Sequence, residues 1–414
     1  MPTGRCEGHR HLKRTMTHTF HKPTDTSDAT KAEAGMDYWQ GRRVLIVSPE
    51  AWGPVRLSKH HYASTLMEQG AQVFFLDPDS PKENRIRITA AAPDQPALLF
   101  RPPPLRGMRF LSRAVRARLE AYQMKQLAAA AGGSFDLLWN FDLHRFRSIE
   151  NRAHARERIV HVMDLREPKE LNGPAGLADL VIVVSPAMAD GLEKPQDRVL
   201  HLAHGWMPRK REASALPALS TGIKLGYLGN LAMRAIDWSS IIGIATSFPE
   251  VQLHLIGPLH GAFGNDTGVD PATEKLLNAL PNIKLIGPVP YDQVPDWLEA
   301  MDILLIAYDL EGVGLKATSS HKLLEYLASG KVVLSSYLED HRNLEGLVIM
   351  ARPGGSVTNY MKDLLRDLPA LNAPELQAKR KAYAAANNYA EKVEQVARKL
   401  RSMARVSSQL KDQA

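Results

Sequence analysis

The sequence predicts an α/β protein made of two doubly wound, mostly parallel-sheet domains. Three observations carry that prediction. Strand–helix–strand openings occur twice, at Val44 and again at Lys224. Short apolar runs bounded by turn residues alternate with segments of helical period through both halves. The run His321-Lys-Leu-Leu-Glu-Tyr-Leu-Ala-Ser-Gly330, followed by Lys331-Val-Val-Leu-Ser-Ser336, reads as a helix, a glycine stop and a buried strand. A chain of 414 residues has room for two or three domains.

The first domain is expected over 41–207, after a polar His/Thr-rich stretch, 1–40, that reads as a disordered tail. Val44-Leu-Ile-Val-Ser48 is a buried strand, and a loop containing Gly53 leads into a helix through His61 and Leu66 that ends near Gly70. Gln72-Val-Phe-Phe-Leu76 is the next strand. No G-x-G-x-x-G lies in that first turn, which argues against a dinucleotide dehydrogenase. Further strands are expected at 137–139, 159–163, 180–184 and 199–201. Ligand loops in such sheets follow strand C-termini, which brings Asp164 and Ser185 to the crevice. Pro208, Pro217 and Gly222 mark 208–222 as a linker. The second domain, 223–375, runs through strand 224–228, helix 237–248, strands 251–256 and 283–286, helix 291–301, strand 303–307 and the 321–336 run. Residues 376–414 are strongly helical.

Composition narrows the classes. The apolar and charged fractions are those of a water-soluble globular chain. The single cysteine, Cys6, allows no intrachain disulfide, no Cys/His zinc spacing exists, and a reducing, cytoplasmic compartment fits. No apolar run approaches the roughly 20 residues a membrane span needs, and the N-terminus lacks the apolar core of a secretory signal. The formal charge is +7. The tail supplies one unit of it and the six arginines between Arg101 and Arg118 supply the rest, so the basic character is one patch and not a nucleic-acid-binding body.

In the 321–330 helix, Leu323, Leu324 and Leu327 form an apolar face, Thr318, Ser319 and Ser320 offer N-caps, and Gly330 closes the C-terminus. A helix N-terminus with free N–H groups, a positive dipole end and Lys322 suits a diphosphate. Glu325, one turn on, is placed to accept from two neighbouring ribose hydroxyls. The plainer reading is a surface Lys–Glu pair on a helix leading into a core strand. Gly226-Tyr-Leu-Gly-Asn230 follows the second domain's first strand; Gly229 and Asn230 let backbone N–H groups approach a phosphate, and Arg234 is a second candidate cation. Asp237 reads better as the N-cap of the next helix.

The 321–336 run resembles the nucleotide-binding motif of GT-B glycosyltransferases, the group that includes family 4, where it is typically K-L-x-E-Y-L-A-x-G-x-P-V-V; here Val332 stands where proline is usual. The resemblance extends over roughly 43–400. It implies two Rossmann-like domains facing across a cleft, with the final helix crossing back to the first, a nucleoside-diphosphate sugar donor on the second domain (Lys322, Glu325, Ser320, Gly229, Asn230, Arg234), and the acceptor on the first. Gly53 and His204, of the His204-Gly205 pair that closes the first domain, would face the donor. Asp164, in His161-Val-Met-Asp-Leu-Arg166, is similar to the general base of inverting enzymes in bacterial exopolysaccharide assembly, against the alternatives of helix capping or pairing with Arg166. Many family 4 retaining enzymes carry E-x7-E. The first glutamate position is Ala317 here, which leaves the stereochemistry open. Asp77-Pro-Asp79 has the letters of a metal motif but reads as a turn, and no essential metal or other cofactor is expected.

Over 106–120, Met108, Leu111, Val115 and Leu119 form an apolar stripe, with Arg106, Arg109, Arg113 and Arg116 beside it. This reads either as a basic amphipathic helix lying on anionic lipid at the inner face of the cell membrane or as a packed helix with a solvated face. The expected function is sugar transfer from a nucleotide-sugar donor to a glycan or lipid-linked hydroxyl acceptor in cell-surface glycan assembly. The alternatives are a UDP-sugar epimerase and a non-catalytic nucleotide-sugar-binding partner of the same fold.

Overall fold

The structure, a computed structural model, describes residues 38–53, 56–92, 95–104, 107–147, 154–164, 168–208, 216, 219, 221–261, 268–312 and 320–412. Apolar strands buried on both faces build two sheets. In the first domain β1 (Arg43–Val47), β2 (Gln72–Leu76), β3 (Arg87–Ala92), β4 (Gln95–Arg101), β5 (Phe135–Asn140), β6 (Ala155–Val162), β7 (Leu180–Val183) and β8 (Val199–His201) lie in the order β3-β4-β2-β1-β5-β6-β7-β8. All neighbours are parallel except β3 and β4. Helices α1 (Ser58–Glu68), α2 (Arg113–Ala130) and α3 (Pro168–Leu177) connect them.

The second domain is a parallel sheet in the order β11-β10-β9-β12-β13-β14. Its strands are β9 (Ile223–Leu228), β10 (Val251–Ile256), β11 (Ile283–Gly287), β12 (Ile303–Ile306), β13 (Val332–Ser335) and β14 (Val348–Met350), with helices α4 (Trp238–Ser247), α5 (Pro271–Ala279), α6 (Val294–Ala300), α7 (His321–Ser329), α8 (Met361–Leu371) and α9 (Pro374–Ala386). A last helix, α10 (Tyr389–Asp412), packs Val393, Val396, Ala397 and Leu400 into the first domain's core. Each sheet reverses its winding once, between β1 and β5 and between β9 and β12. Crevices at such points are where ligands enter α/β sheets.

Several boundaries shift from expectation. Trp39 is fully buried and stacks on Trp139, so the first domain's core reaches back into the stretch read as tail; residues 1–37 lie outside the described residues. The expected return to the first domain at 376 comes later. Arg380 of α9 donates to Gly330 O and Leu347 O and Ala384 sits in the second domain's core, so the chain crosses at Asn387–Tyr389. Strands β3, β4 and β14 were not anticipated: β3 is half alanine, β4 carries a proline at its second residue, and β14 is only three residues long. The basic segment is not one helix. Met108–Phe110 is a 3-10 turn, and the helix starts at Arg113, capped by Ser112 Oγ, which accepts the Val115 N–H. Asp77-Pro-Asp79, expected as a turn, is irregular backbone after β2, in which buried Asp77 accepts from Trp52 N–H at 2.8 Å and Arg101 Nε at 2.9 Å. Asp237 caps α4, accepting the Ser240 N–H at 2.9 Å. Among the described residues, no helix is long and apolar enough to cross a membrane.

Candidate active site

The site assembles around α7. Leu323, Tyr326 and Leu327 are fully buried against β12 and β13, each apolar side chain stabilising the docking by about 1.5–3 kcal/mol. Gly330, at φ +83°, ends the helix in the left-handed conformation. Val332 departs usefully from the proline of the motif, because its N–H donates to Asn372 Oδ1 at 2.8 Å, a bond proline cannot make. Tyr326 reaches back to the end of β9, where its hydroxyl accepts Leu228 N–H at 2.8 Å and lies 3.1 Å from Leu228 O. This helix therefore fixes the turn that follows β9.

That turn meets Lys322. Gly229 is at φ +147°, and a Cβ there would overlap Lys322 Cε and Nζ. Lys322 donates to the buried Tyr227 hydroxyl, with its Nζ 4.0 Å from the Tyr227 ring and 5.3 Å from the Tyr308 ring. Burial and the neighbouring Tyr308 and Tyr326 push the Tyr227 hydroxyl's pKa well up, so it stays a neutral acceptor. Ser320 occupies the N-cap; its buried Oγ makes no cap bond, and its carbonyl accepts the Leu323 N–H at 3.2 Å. An ammonium, a glycine turn and a helix N-terminus converge on one point.

Glu325 does not pair with Lys322. Its carboxylate lies 3.6 Å from His321 Nε2 and forms one wall of a cavity of about 180 Å³ with Trp206, Val294, Pro295, Leu298, Ala328 and Ser329. The cavity follows the Glu325–Ser329 face of α7 away from its N-terminus. Asn230 folds its Oδ1 onto Ala232 N–H at 3.0 Å, and Arg234 is exposed on the same turn. Gly53 sits in the β1–α1 loop, where a Cβ would meet nothing nearer than Ala51 O at 3.9 Å, so no close approach requires glycine there.

The first domain faces this site across a seam of named pairs. His204 Nδ1 lies 3.1 Å from Ser58 Oγ, and its ring meets His321 edge-on at 5.8 Å. Desolvation, then the nearby His321 and His341, push the His204 pKa down to about 3, so the ring is neutral at ordinary pH. Tyr291 and His61 share a hydrogen bond at 3.2 Å, and Ser185 Oγ donates to Asp340 Oδ1 at 2.9 Å. Asp164 is exposed just past the end of β6, between the ends of β5 and β7. Thus Lys322, Gly229, Ser320, Glu325 and His204 come together, while Asp164 is exposed at the end of β6 in the first domain. Arg106 and the 313–319 stretch with Ala317 lie outside the described residues. Tyr227, Tyr308, Tyr326, Ser58 and His321 belong to the site but went unrecognised in the sequence. The one available signal was an aromatic residue at or next to the end of each apolar run, Tyr227 in 224–228 and Tyr308 after 303–307.

Two sheets facing across a cleft, with the last helix returning to the first domain, define the GT-B fold. Solved structures share it: Anabaena Alr3699/HepE in complex with UDP-glucose (16% identity, 87% of this chain and 99% of that one, TM-score 0.62) and sucrose-phosphate synthase from Thermosynechococcus elongatus (15%, 90% and 100%, 0.61). A glycosyltransferase from Rickettsia africae is similar as well (11%, 88% and 98%, 0.63). Among curated sequences the chain is 31% identical, over 117 residues, to the putative teichuronic acid biosynthesis glycosyltransferase TuaH of Bacillus subtilis strain 168. That match spans 28% of this chain and 27% of the relative. No family model matches the chain.

Proposed function

We propose that this protein is a glycosyltransferase that moves a sugar from a nucleoside-diphosphate donor to a hydroxyl acceptor in cell-surface glycan assembly. The carrying observation is the continuous track along α7: Lys322 and the Gly229 turn at its N-terminus for the diphosphate, Glu325 one turn on for the ribose, and the cavity beside Ala328 and Ser329 for the base. The UDP-glucose in the HepE complex and the teichuronic acid biosynthesis in the name of the putative glycosyltransferase TuaH, matched over 27% of its length, support the same reading.

On this reading the sugar–phosphate bond breaks as the acceptor oxygen attacks the anomeric carbon. The leaving diphosphate takes the bonding pair, and Lys322 with the helix N-terminus stabilises its charge. Asp164 takes the acceptor hydroxyl proton. His204, neutral and held through Nδ1 by Ser58, offers Nε2 to the donor phosphate or sugar. Arg234 adds a second cation. The exposed α2 surface, with Arg113, Val115 and Tyr122 and the adjoining Phe110, would rest on anionic lipid at the inner face of the cell membrane. The test is release of UDP from UDP-sugars with and without acceptor. UDP release only with acceptor supports transfer; interconversion of UDP-sugars without acceptor would mean epimerisation, and tight UDP binding without turnover a binding partner.

A further inference from the structure

A second cavity, of about 290 Å³, opens at the carboxyl edge of the first sheet. It lies among the segments that follow β2, β4 and β5 and against α2, and Asp79, Met108, Arg116, Glu120, Gln123, His144, Arg145, Phe146 and Arg147 surround it. Its charges are not equivalent. Arg145 is committed to the fold: it donates to Asp77 O and Ser48 O, pairs with Asp142 at 2.8 Å and lies 3.8 Å from Asp79. Glu120 is buried and accepts the Arg147 N–H at 3.3 Å. Two guanidiniums remain for the cavity. Arg116 spends one Nη on Leu111 O at 3.2 Å, while its Nε is buried with no hydrogen-bond partner. Arg147 is half-buried on the facing wall.

The backbone is shaped to this wall. Phe146, between Arg145 and Arg147, is the one non-glycine residue among those described with a positive φ, at +53°. A bulky residue in that region is strained unless its surroundings enforce it, and such strain gathers at ligand sites. Here it turns Arg145 inward to the strand ends and leaves Arg147 on the cavity.

We propose that this cavity is an oxyanion site that anchors the acceptor through a phosphate or carboxylate group held between Arg116 and Arg147. A guanidinium with an unused buried N–H is matched by an oxyanion, which accepts two parallel bonds from such a fork. The strand order adds position. Asp164 follows β6, one strand from β5 and three from β2, whose following segments line the cavity, so the two are separated along the sheet edge by on the order of 5–15 Å. Beyond Asp164 come Ser185, His204 and the donor track. An acceptor anchored in the cavity therefore extends a sugar or two along the sheet edge before its hydroxyl reaches Asp164. This rests on the glycosyltransferase reading for the acceptor's identity, but the site itself can be tested without turnover.

The experiment is calorimetric titration of the UDP-saturated full-length protein with inorganic pyrophosphate and, separately, with D-glucuronate. UDP occupies the donor site, so a second binding event reports the cavity. Binding of pyrophosphate assigns a phosphate, and binding of glucuronate alone a carboxylate. Arg116→Gln with Arg147→Gln should weaken that event at least tenfold while UDP affinity stays unchanged. Lys322→Ala should do the reverse. Retention of the event in the double variant, or no binding of either probe to wild type, overturns the oxyanion site. Loss of UDP binding in wild type would count against the donor reading instead, and pyrophosphate binding to Lys322→Ala protein would still decide the cavity.

Discussion

Gly229 and Lys322 interlock: the lysine's terminal carbon and nitrogen occupy the space that any β-carbon at residue 229 would take. The turn after β9 and the first turn of α7 therefore form one device, joined a second time by Tyr326 on Leu228. Lys322→Ala is expected to weaken UDP binding by about 1–3 kcal/mol, as for loss of a charged hydrogen bond. Gly229→Ala, which displaces the ammonium, should approach the same loss. Unchanged UDP affinity in Lys322→Ala, measured by calorimetry, would move the diphosphate elsewhere.

Glu325 makes a separable prediction. If its carboxylate receives the ribose hydroxyls, wild-type protein prefers UDP to 2′-deoxy-UDP, and Glu325→Ala erases the preference while still binding both. A preference that survives the substitution removes the ribose from Glu325.

Asp164→Asn should leave UDP affinity intact and lower turnover on the order of 10²-fold or more, the usual scale for a general base. Near-native turnover in that variant would return Asp164 to a loop-capping role.

The histidines set an acid limit. Burial lowers His60 to about 4, His204 to about 3, and fully buried His161 well below its usual value. In each case the unfolded chain binds a proton that the folded one refuses once the pH falls below about 6.5. Stability is thus full above that value and declines as pH drops toward 4. Urea midpoints for His204→Gln should fall less steeply than wild type across pH 6.5–4. Identical slopes would show that His204 protonates freely in the folded state.

The α2 surface predicts salt-sensitive co-sedimentation with phosphatidylglycerol vesicles, since exposed charges are screened within about 10 Å at 0.1 M salt. Arg113→Gln with Arg118→Gln should abolish it, leaving UDP binding untouched in the other domain. Equal binding to neutral vesicles at any salt would mark Phe110 and its apolar neighbours as the anchor, and no binding would leave α2 simply solvated.

Much of this was readable in the chain because local pattern and global fold agree. The 321–336 run carries its own cap, stripe and stop, and Asp237 announces its helix. What escaped notice depends on distance in sequence. Ser58 meets His204 within the first domain but 146 residues apart, and Ser185 meets Asp340 and His61 meets Tyr291 only because two domains are brought face to face. The arginine segment misled for a related reason. Its periodicity is genuine, but Ser112 starts the helix, and Arg116 turns inward to a cavity that no local pattern encodes.

The chain passes between domains twice, and the two passages touch. Trp206 N–H donates to Asn387 O at 2.8 Å, Tyr389 N–H donates to Trp206 O at 3.1 Å, and the Tyr389 ring fills the space beside Gly205, where a β-carbon would lie 2.9 Å from it. The second domain is therefore inserted within the first rather than appended to it. Chimeras that exchange donor specificity should cut near Trp206 and near Asn388, keeping α10 with its own first domain. A single splice in the 208–222 stretch would mate a foreign α10 to the native core and expose Val393, Val396 and Leu400 to a mismatched surface.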